Sequence, residues 1–502
     1  MKKVLYLIII LIAASCSTKH NELPMKKVTI TGKIINLDPF IFTINSSINR
    51  IGIGQESISP LLDPDGSFKI SFKSNIPTDV WLIYKMEFLI LTHPGDSIHV
   101  EFDGSKDESM DILKTIKFSG DDSVLNNEAV AFQQLYFPTI VFYSPPDKYL
   151  HVLRDYNEVQ YKLFMDSIRT ESAGLYNKFL KERNPSYEFR QWAKTLIDVD
   201  YYEKLITFPE FHRYANNLKS KDWDVPITYY DFLKNHFPFN NSILISGYAL
   251  TSFVNTYQVF LNKKIRAENK SFFISLDTIK RYPEKLDSLM FFGTINYTDD
   301  PLLRQMALTE ILHQELEQSE TRMFEKYESK IENCILEPYL REPLFKLYHQ
   351  ALNRLENPKL ASDAILNKLK GTSLKPIIDS IISVNKGKVI YMDCWATWCG
   401  PCIAEIPNSK RLMEEYKDKD AAFIFICLDS EERNWKSVLS KYSLGGQHFL
   451  LTKNQSSYFR NAFNIKGTPQ YILFDKKGNI AENETLPPLF IKDKIDKLLT
   501  EK

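Results

Sequence analysis

The chain has 502 residues, too many for one hydrophobic core and suited to about three domains. Its 63 basic and 63 acidic residues cancel, which gives no support for a nucleic-acid-binding surface. Hydrophobic residues make up 44%, and no long apolar run follows the N-terminus, so the body of the chain is expected to be soluble.

At the N-terminus, Lys2-Lys3, the apolar run Val4 to Ile12 and Ala13-Ala14-Ser15-Cys16 predict a signal peptide over residues 1–15, its apolar run too short to span a bilayer. Small residues directly before a cysteine resemble the bacterial lipobox, which implies cleavage there and lipidation of Cys16; an ordinary signal peptide with a chance cysteine is the plainer alternative. Residues 16–26 then form a lipidated tether, and the protein sits in the cell envelope facing the periplasm, with inner and outer membrane both open. Five thiols remain, Cys334, Cys394, Cys399, Cys402 and Cys427, and an odd number with one close pair argues against a structural disulfide framework.

Residues 27–118 are expected to form an antiparallel, β-sandwich-like domain. Val28, Ile30 and Ile34, then Phe68, Ile70 and Phe72, then Ile98, Val100 and Phe102 alternate with polar residues as half-buried strands do, and Asp63-Pro64-Asp65-Gly66 and His93-Pro94-Gly95-Asp96 mark turns. Residues 119–370 read as an α-helical domain. Val152, Tyr156, Val159 and Leu163, and Leu308, Ile311, Leu312 and Leu316, keep helical faces, while Pro145-Pro146, Pro185, Pro209 and Pro238 are expected to break the region into pieces. Its aromatic stripes read as core or interface. The histidines show no metal-binding spacing, so no metal site is expected.

Residues 371–502 alternate strands and helices. Strands are expected at Val389 to Cys394, Phe423 to Leu428 and Tyr471 to Phe474, with helices at Pro401 to Tyr416, Glu432 to Tyr442, Tyr458 to Phe463 and Ile491 to Leu499. That order implies crossover connections and a partly parallel sheet covered on both faces.

Within it, Asp393-Cys394-Trp395-Ala396-Thr397-Trp398-Cys399-Gly400-Pro401-Cys402 runs from a buried strand into a helix whose first turn carries Pro401. A thiolate attacks disulfides and a thiol does not, and a helix N-terminus favours the thiolate, lowering a cysteine pKa from about 8.5 to about 7. Cys399 is therefore the attacking thiol and Cys402, one turn into the helix, the resolving thiol. Strand alternation sends Cys394 to the face opposite Asp393.

This motif, with Glu405 and Pro407 after it, resembles the thioredoxin superfamily, above all its membrane-tethered TlpA- and ResA-like thiol-disulfide oxidoreductases. The resemblance covers about the last quarter of the chain and implies an α/β thioredoxin fold, in a chain that is multidomain overall. It implies that Asp393 is a buried carboxylate moving the proton of Cys402, and that Glu405 is the acidic residue that tethered members carry near the site. It further implies that Gly467-Thr468-Pro469-Gln470 is the cis-proline loop facing the disulfide. Trp398, Gly400, Pro401, Thr468 and Pro469 are then the substrate-binding residues, with substrate backbone added as a strand. The N-terminal β domain is similar to one of unknown function that precedes such domains in lipoproteins. Implied partners are disulfide-containing exported proteins, apocytochrome c among them, and a membrane electron donor; no cofactor is implied.

Other readings stand beside this one. A zinc site needs a second ligand pair that Cys427 and scattered histidines supply poorly, and the formal iron–sulfur spacing of Cys394, Cys399, Cys402 and Cys427 falls across a strand and a helix rather than a loop. The peroxiredoxin signature fails at Ala396 and Met392. The Gly-Pro dipeptide matches thioredoxin, at about −270 mV, and favours a reductant over an oxidase or isomerase. The remaining alternative is a binding or assembly lipoprotein whose redox domain serves one partner.

Overall fold

Strand alternation places Val28, Ile30 and Ile34 of β1 (Lys26–Ile35) and Phe68, Ile70 and Phe72 of β4 (Ser67–Ser74) in one buried core. The computed structural model describes residues 24–501 apart from 53, 107–108, 140–145, 236–238 and 369–374; the expected signal peptide, Cys16 and most of the tether lie outside them, as do Pro145, Pro238 and His236.

The other strands before the helices are β2 (Asn45–Arg50), β3 (Gly54–Ile58), β5 (Thr78–Ile83), β6 (Glu87–Thr92), β7 (Ser97–Asp103) and β8 (Lys117–Gly120). They form two four-stranded sheets, ordered β4-β1-β7-β8 and β3-β2-β5-β6, whose apolar faces share the core. The expected antiparallel pairing holds except that β1 and β7 run parallel. Four of the strands between them lie in or cross to the second sheet, so the chain returns to β1 in its original direction, as a crossover does.

Helices follow at Ser123–Tyr136, Pro146–Asp155, Glu158–Arg183, Tyr187–Ala215, Gly247–Glu268, Leu276–Arg281, Pro283–Asn296, Pro301–Glu317, Arg322–Cys334 and Pro338–Glu356. Phe132, Phe189 and Trp192 complete the core of the β sheets, while most of the other helices build a separate core around Phe208, Phe253, Leu303 and Met306. Pro185 falls at a helix break as expected, but Pro209 lies inside Tyr187–Ala215 and does not end it, because the turn before it buries Leu205, Ile206 and Phe208 in the helical core. No described helix is long and apolar enough to cross a membrane.

The last sheet is ordered β14-β13-β10-β11-β12-β9, from β9 (Ala364–Lys368), β10 (Val389–Trp395), β11 (Ala421–Cys427), β12 (Gly446–Leu450), β13 (Gln470–Phe474) and β14 (Ile480–Asn483). β10 is parallel to β11 and antiparallel to β13. Helices Gly400–Glu415, Glu432–Tyr442 and Lys492–Thr500 cover one face, and Lys375–Val384 and Lys453–Ala462 the other. Edge strand β9 lies before residue 371, where the sequence places the start of this domain; Ala-Ile-Leu-Asn-Lys carries no alternation that would set it apart. Helix Glu432–Tyr442 packs on Pro338–Glu356, and Asn434 Nδ2 donates to Glu320 while Lys441 pairs with Glu317.

Candidate active site

β10 is buried along its whole length, so the chain leaves the sheet only at Ala396. The loop that follows is tied down on the β11 side. Thr397 N–H donates to Ser430 Oγ at 3.0 Å, and Trp398 Nε1 donates to the Asp429 carbonyl at 2.9 Å. The Asp429 carboxylate in turn holds Arg460 at 3.1 Å. Trp398 thus keeps a fixed orientation although 48% of it is exposed.

Cys399 is the N-cap of helix Gly400–Glu415, with Pro401 in the first turn, and its Sγ accepts the Cys402 N–H at 3.2 Å. The two cysteines form a disulfide and are 4% and 3% exposed. An N-cap sulfur that already receives a helix N–H is placed to carry negative charge once reduced. The Thr468–Pro469 peptide is cis, and Gln470 pairs with Cys394, so Pro469 stands at the end of the sheet from which the cysteine loop departs.

Asp393, 5% exposed, alternates with Tyr391 and Trp395 on the face of β10 whose core also takes in Cys399 and Cys402. Burial, and then the nearby Glu405 carboxylate, push its pKa up to about 8. Glu405 is half-buried on the first turns of the helix and accepts from Asn408 Nδ2 at 3.0 Å. Two residues that sequence analysis missed wall this carboxyl pair. Tyr391, on the same face of β10, stacks on Tyr471 of β13 with centroids 5.5 Å apart and planes 11° apart. Strand alternation placed both tyrosines in strands; only the β10–β13 register reveals that they meet.

Cys394 packs on the opposite face with Ile390 and Met392, and Cys427 is buried in β11. Burial drives the Cys394 thiol well above its ordinary range and pushes Cys427 up to about 12, so both stay protonated and unreactive. Among the described residues, the one group with metal-like spacing is His93, Asp96 and Asp122, far along the chain in the β domain. Both His93 nitrogens are already engaged, Nδ1 by Asp122 at 2.5 Å and Nε2 by Glu188 at 2.8 Å, so this is a hydrogen-bonded tie between elements.

Residues 379–497 match the family model Redoxin. They are a redoxin domain. The chain is 24% identical to the thiol-disulfide oxidoreductase ResA of Bacillus cereus over 139 residues, 28% of this chain and 75% of that relative. It is 26% identical to the thioredoxin-like protein YneN of Bacillus subtilis over 162 residues, 32% of this chain and 89% of that one. The crystal structure of the thioredoxin domain of a thiol-disulfide oxidoreductase from Bacteroides vulgatus is 27% identical and covers 24% of this chain and 84% of its own, with a TM-score of 0.22. The redoxin domain, with its disulfide-bonded Cys399 and Cys402, makes the chain a thiol-disulfide oxidoreductase.

Proposed function

We propose that the protein is an envelope-anchored reductase that uses Cys399 and Cys402 to reduce disulfides of exported polypeptides, apocytochrome c being one substrate to test. The observation that supports this most is the buried Asp393 on the face of β10 that packs with a helix-capping Cys399. The Cys399 thiolate attacks one sulfur of the substrate disulfide, and the substrate's other sulfur leaves as a thiolate that takes a proton. Cys402 then gives its proton to the ionised Asp393 carboxylate and attacks Cys399 Sγ, which breaks the mixed disulfide; the second substrate sulfur leaves as a thiolate and takes the proton that Asp393 holds. Two electrons have moved to the substrate, and a membrane donor of two electrons and two protons restores the dithiol. Burial and Glu405 raise the Asp393 pKa to about 8, so near neutral pH its carboxyl can both take up and give back a proton.

Trp398, Gly400, Pro401, Thr468 and Pro469 are proposed to receive the substrate backbone beside the disulfide, and Cys16 to carry the lipid. Cys399→Ser is expected to abolish disulfide reduction and Cys402→Ser to trap a mixed disulfide with the substrate. The reduction potential decides direction. A value near or below about −270 mV supports the reductase, and one near −120 mV overturns it in favour of an oxidase.

A further inference from the structure

We propose that the Tyr471 hydroxyl positions Asp393 for proton exchange with Cys402, by donating a hydrogen bond to Oδ1, directly or through one enclosed water, whenever Asp393 is ionised. The inference rests on the reading that Asp393 takes the Cys402 proton, and adds a residue to it.

Asp393 and Tyr471 are Cα partners in the antiparallel β10–β13 ladder. Directly opposed residues share a face, with Cβ atoms about 4.5–5.5 Å apart. Both are 5% exposed, and both have a buried atom without a hydrogen-bond partner, Oδ1 of Asp393 and the hydroxyl of Tyr471. Buried polar atoms without partners are uncommon. An acceptor without a donor and a donor without an acceptor thus belong to directly opposed residues.

The neighbouring tyrosine is already committed. Tyr391 donates its hydroxyl to the Leu486 carbonyl at 2.9 Å, and its ring holds that of Tyr471 in the stack. Trp395 Nε1 and Ser409 Oγ are also without partners on this side of the sheet, but neither stands across from Asp393 in the ladder. The titratable groups around Asp393 are Glu405 from the helix, Tyr391 and Cys394 from its own strand, Tyr471 from β13 and Cys427 from β11. The charge that acts on Asp393 is the anion Glu405, which opposes its ionisation. A phenol donor is what this environment offers the carboxylate form.

The test isolates the resolving step in the full-length protein. The reduced dithiol reacts with 5,5′-dithiobis(2-nitrobenzoate): Cys399 forms a mixed disulfide and releases one thionitrobenzoate. Cys402 then displaces the second, whose release rate is followed against pH. Tyr471→Phe is expected to move the half-point of that profile up by roughly one unit, a tenfold slower release on its acid side, while Tyr391→Phe leaves it in place. Placing 3-fluorotyrosine at position 471, which keeps the ring and strengthens the donor, should move it down and serves if the phenylalanine variant does not fold. A Tyr471→Phe profile that overlays the wild type while Asp393→Asn changes it overturns the inference alone, as does an equal shift in Tyr391→Phe. A profile that Asp393→Asn also leaves unchanged overturns the reading of Asp393 itself.

Discussion

Ser319 Oγ and Ser437 Oγ meet at 2.8 Å, fully enclosed, where the turn after helix Pro301–Glu317 touches helix Glu432–Tyr442 of the redoxin domain. Lys359 N–H donates to Ser440 Oγ at 2.8 Å beside them, and Lys441 and Asn434 add the contacts to Glu317 and Glu320. The helix that makes these contacts begins just after Asp429 and Ser430, which bond the Cys399 loop, whereas the contacts to the helical region come from Asn434, Ser437, Ser440 and Lys441 farther along it.

Ser437→Arg should therefore undock the domain without touching its chemistry. Ser437 is 0% exposed and packed against Ser319, so a long side chain there has no room. Small-angle scattering should show a larger radius of gyration, and proteolysis should cut residues 357–363 faster, while the reduction potential stays at the wild-type value. An unchanged scattering curve would show that the serine contact does not hold the domain.

Asp393 also leaves a signature in stability. Its folded pKa is raised from 3.8 to about 8, so above pH 4 the folded state holds a proton that the unfolded state has lost. Stability from this group is therefore present at low pH and falls as pH rises toward 8. Asp393→Asn removes that loss and should stabilise the redoxin domain by up to about 4 kcal/mol at pH 7, with almost no effect at pH 4. Urea melts followed by tryptophan emission at the two pH values check it; a gain of equal size at both would assign the effect to packing.

His93 works in the other direction. Hydrogen bonds to Glu188 and then Asp122 raise its pKa from 6.5 to about 9 against the opposing effect of burial. The stability it supplies is complete below pH 6.5 and is lost as pH rises through 9. About a third of the side chain is exposed, and after discounting for solvent screening His93→Gln should cost about 1–2 kcal/mol at pH 6. At pH 10 the variant and the wild type should melt together, and a constant difference across the range would refute the charge-based account.

The strand, loop and helix around Cys399 were legible because every local signal agrees: the apolar run Val389 to Met392, a sulfur at the N-cap, Pro401 in the first turn and apolar spacing at Ile403 and Ile406. Opposite faces for Asp393 and Cys394 followed from alternation alone. Three features depend on where distant chain segments go, and no local signal carries them. The parallel β1–β7 pair depends on the excursion of the intervening strands into the second sheet. Continuation of the helix through Pro209 depends on packing around Phe208 that outweighs a lost hydrogen bond. The meeting of Tyr471 with Asp393 depends on ladder register, because a slip of one residue would send Tyr471 to the other face.

Trp398 tests whether the surface beside the disulfide recognises polypeptide. Its indole is oriented by the Asp429 carbonyl, Asp429 is fixed by Arg460, and about half of the side chain stays open to solvent. An exposed aromatic ring held in place next to a reactive sulfur offers contact area at little entropic cost, as aromatic anchors at interfaces do. Trp398→Ala should raise KM for a disulfide-bonded polypeptide roughly tenfold, equivalent to about 1.4 kcal/mol, and leave kcat within about twofold. The reaction with 5,5′-dithiobis(2-nitrobenzoate), a small disulfide that needs no such surface, should keep its rate. Equal losses on both substrates would mean that the indole supports the Cys399 loop itself, through its bond to Asp429, rather than the substrate chain.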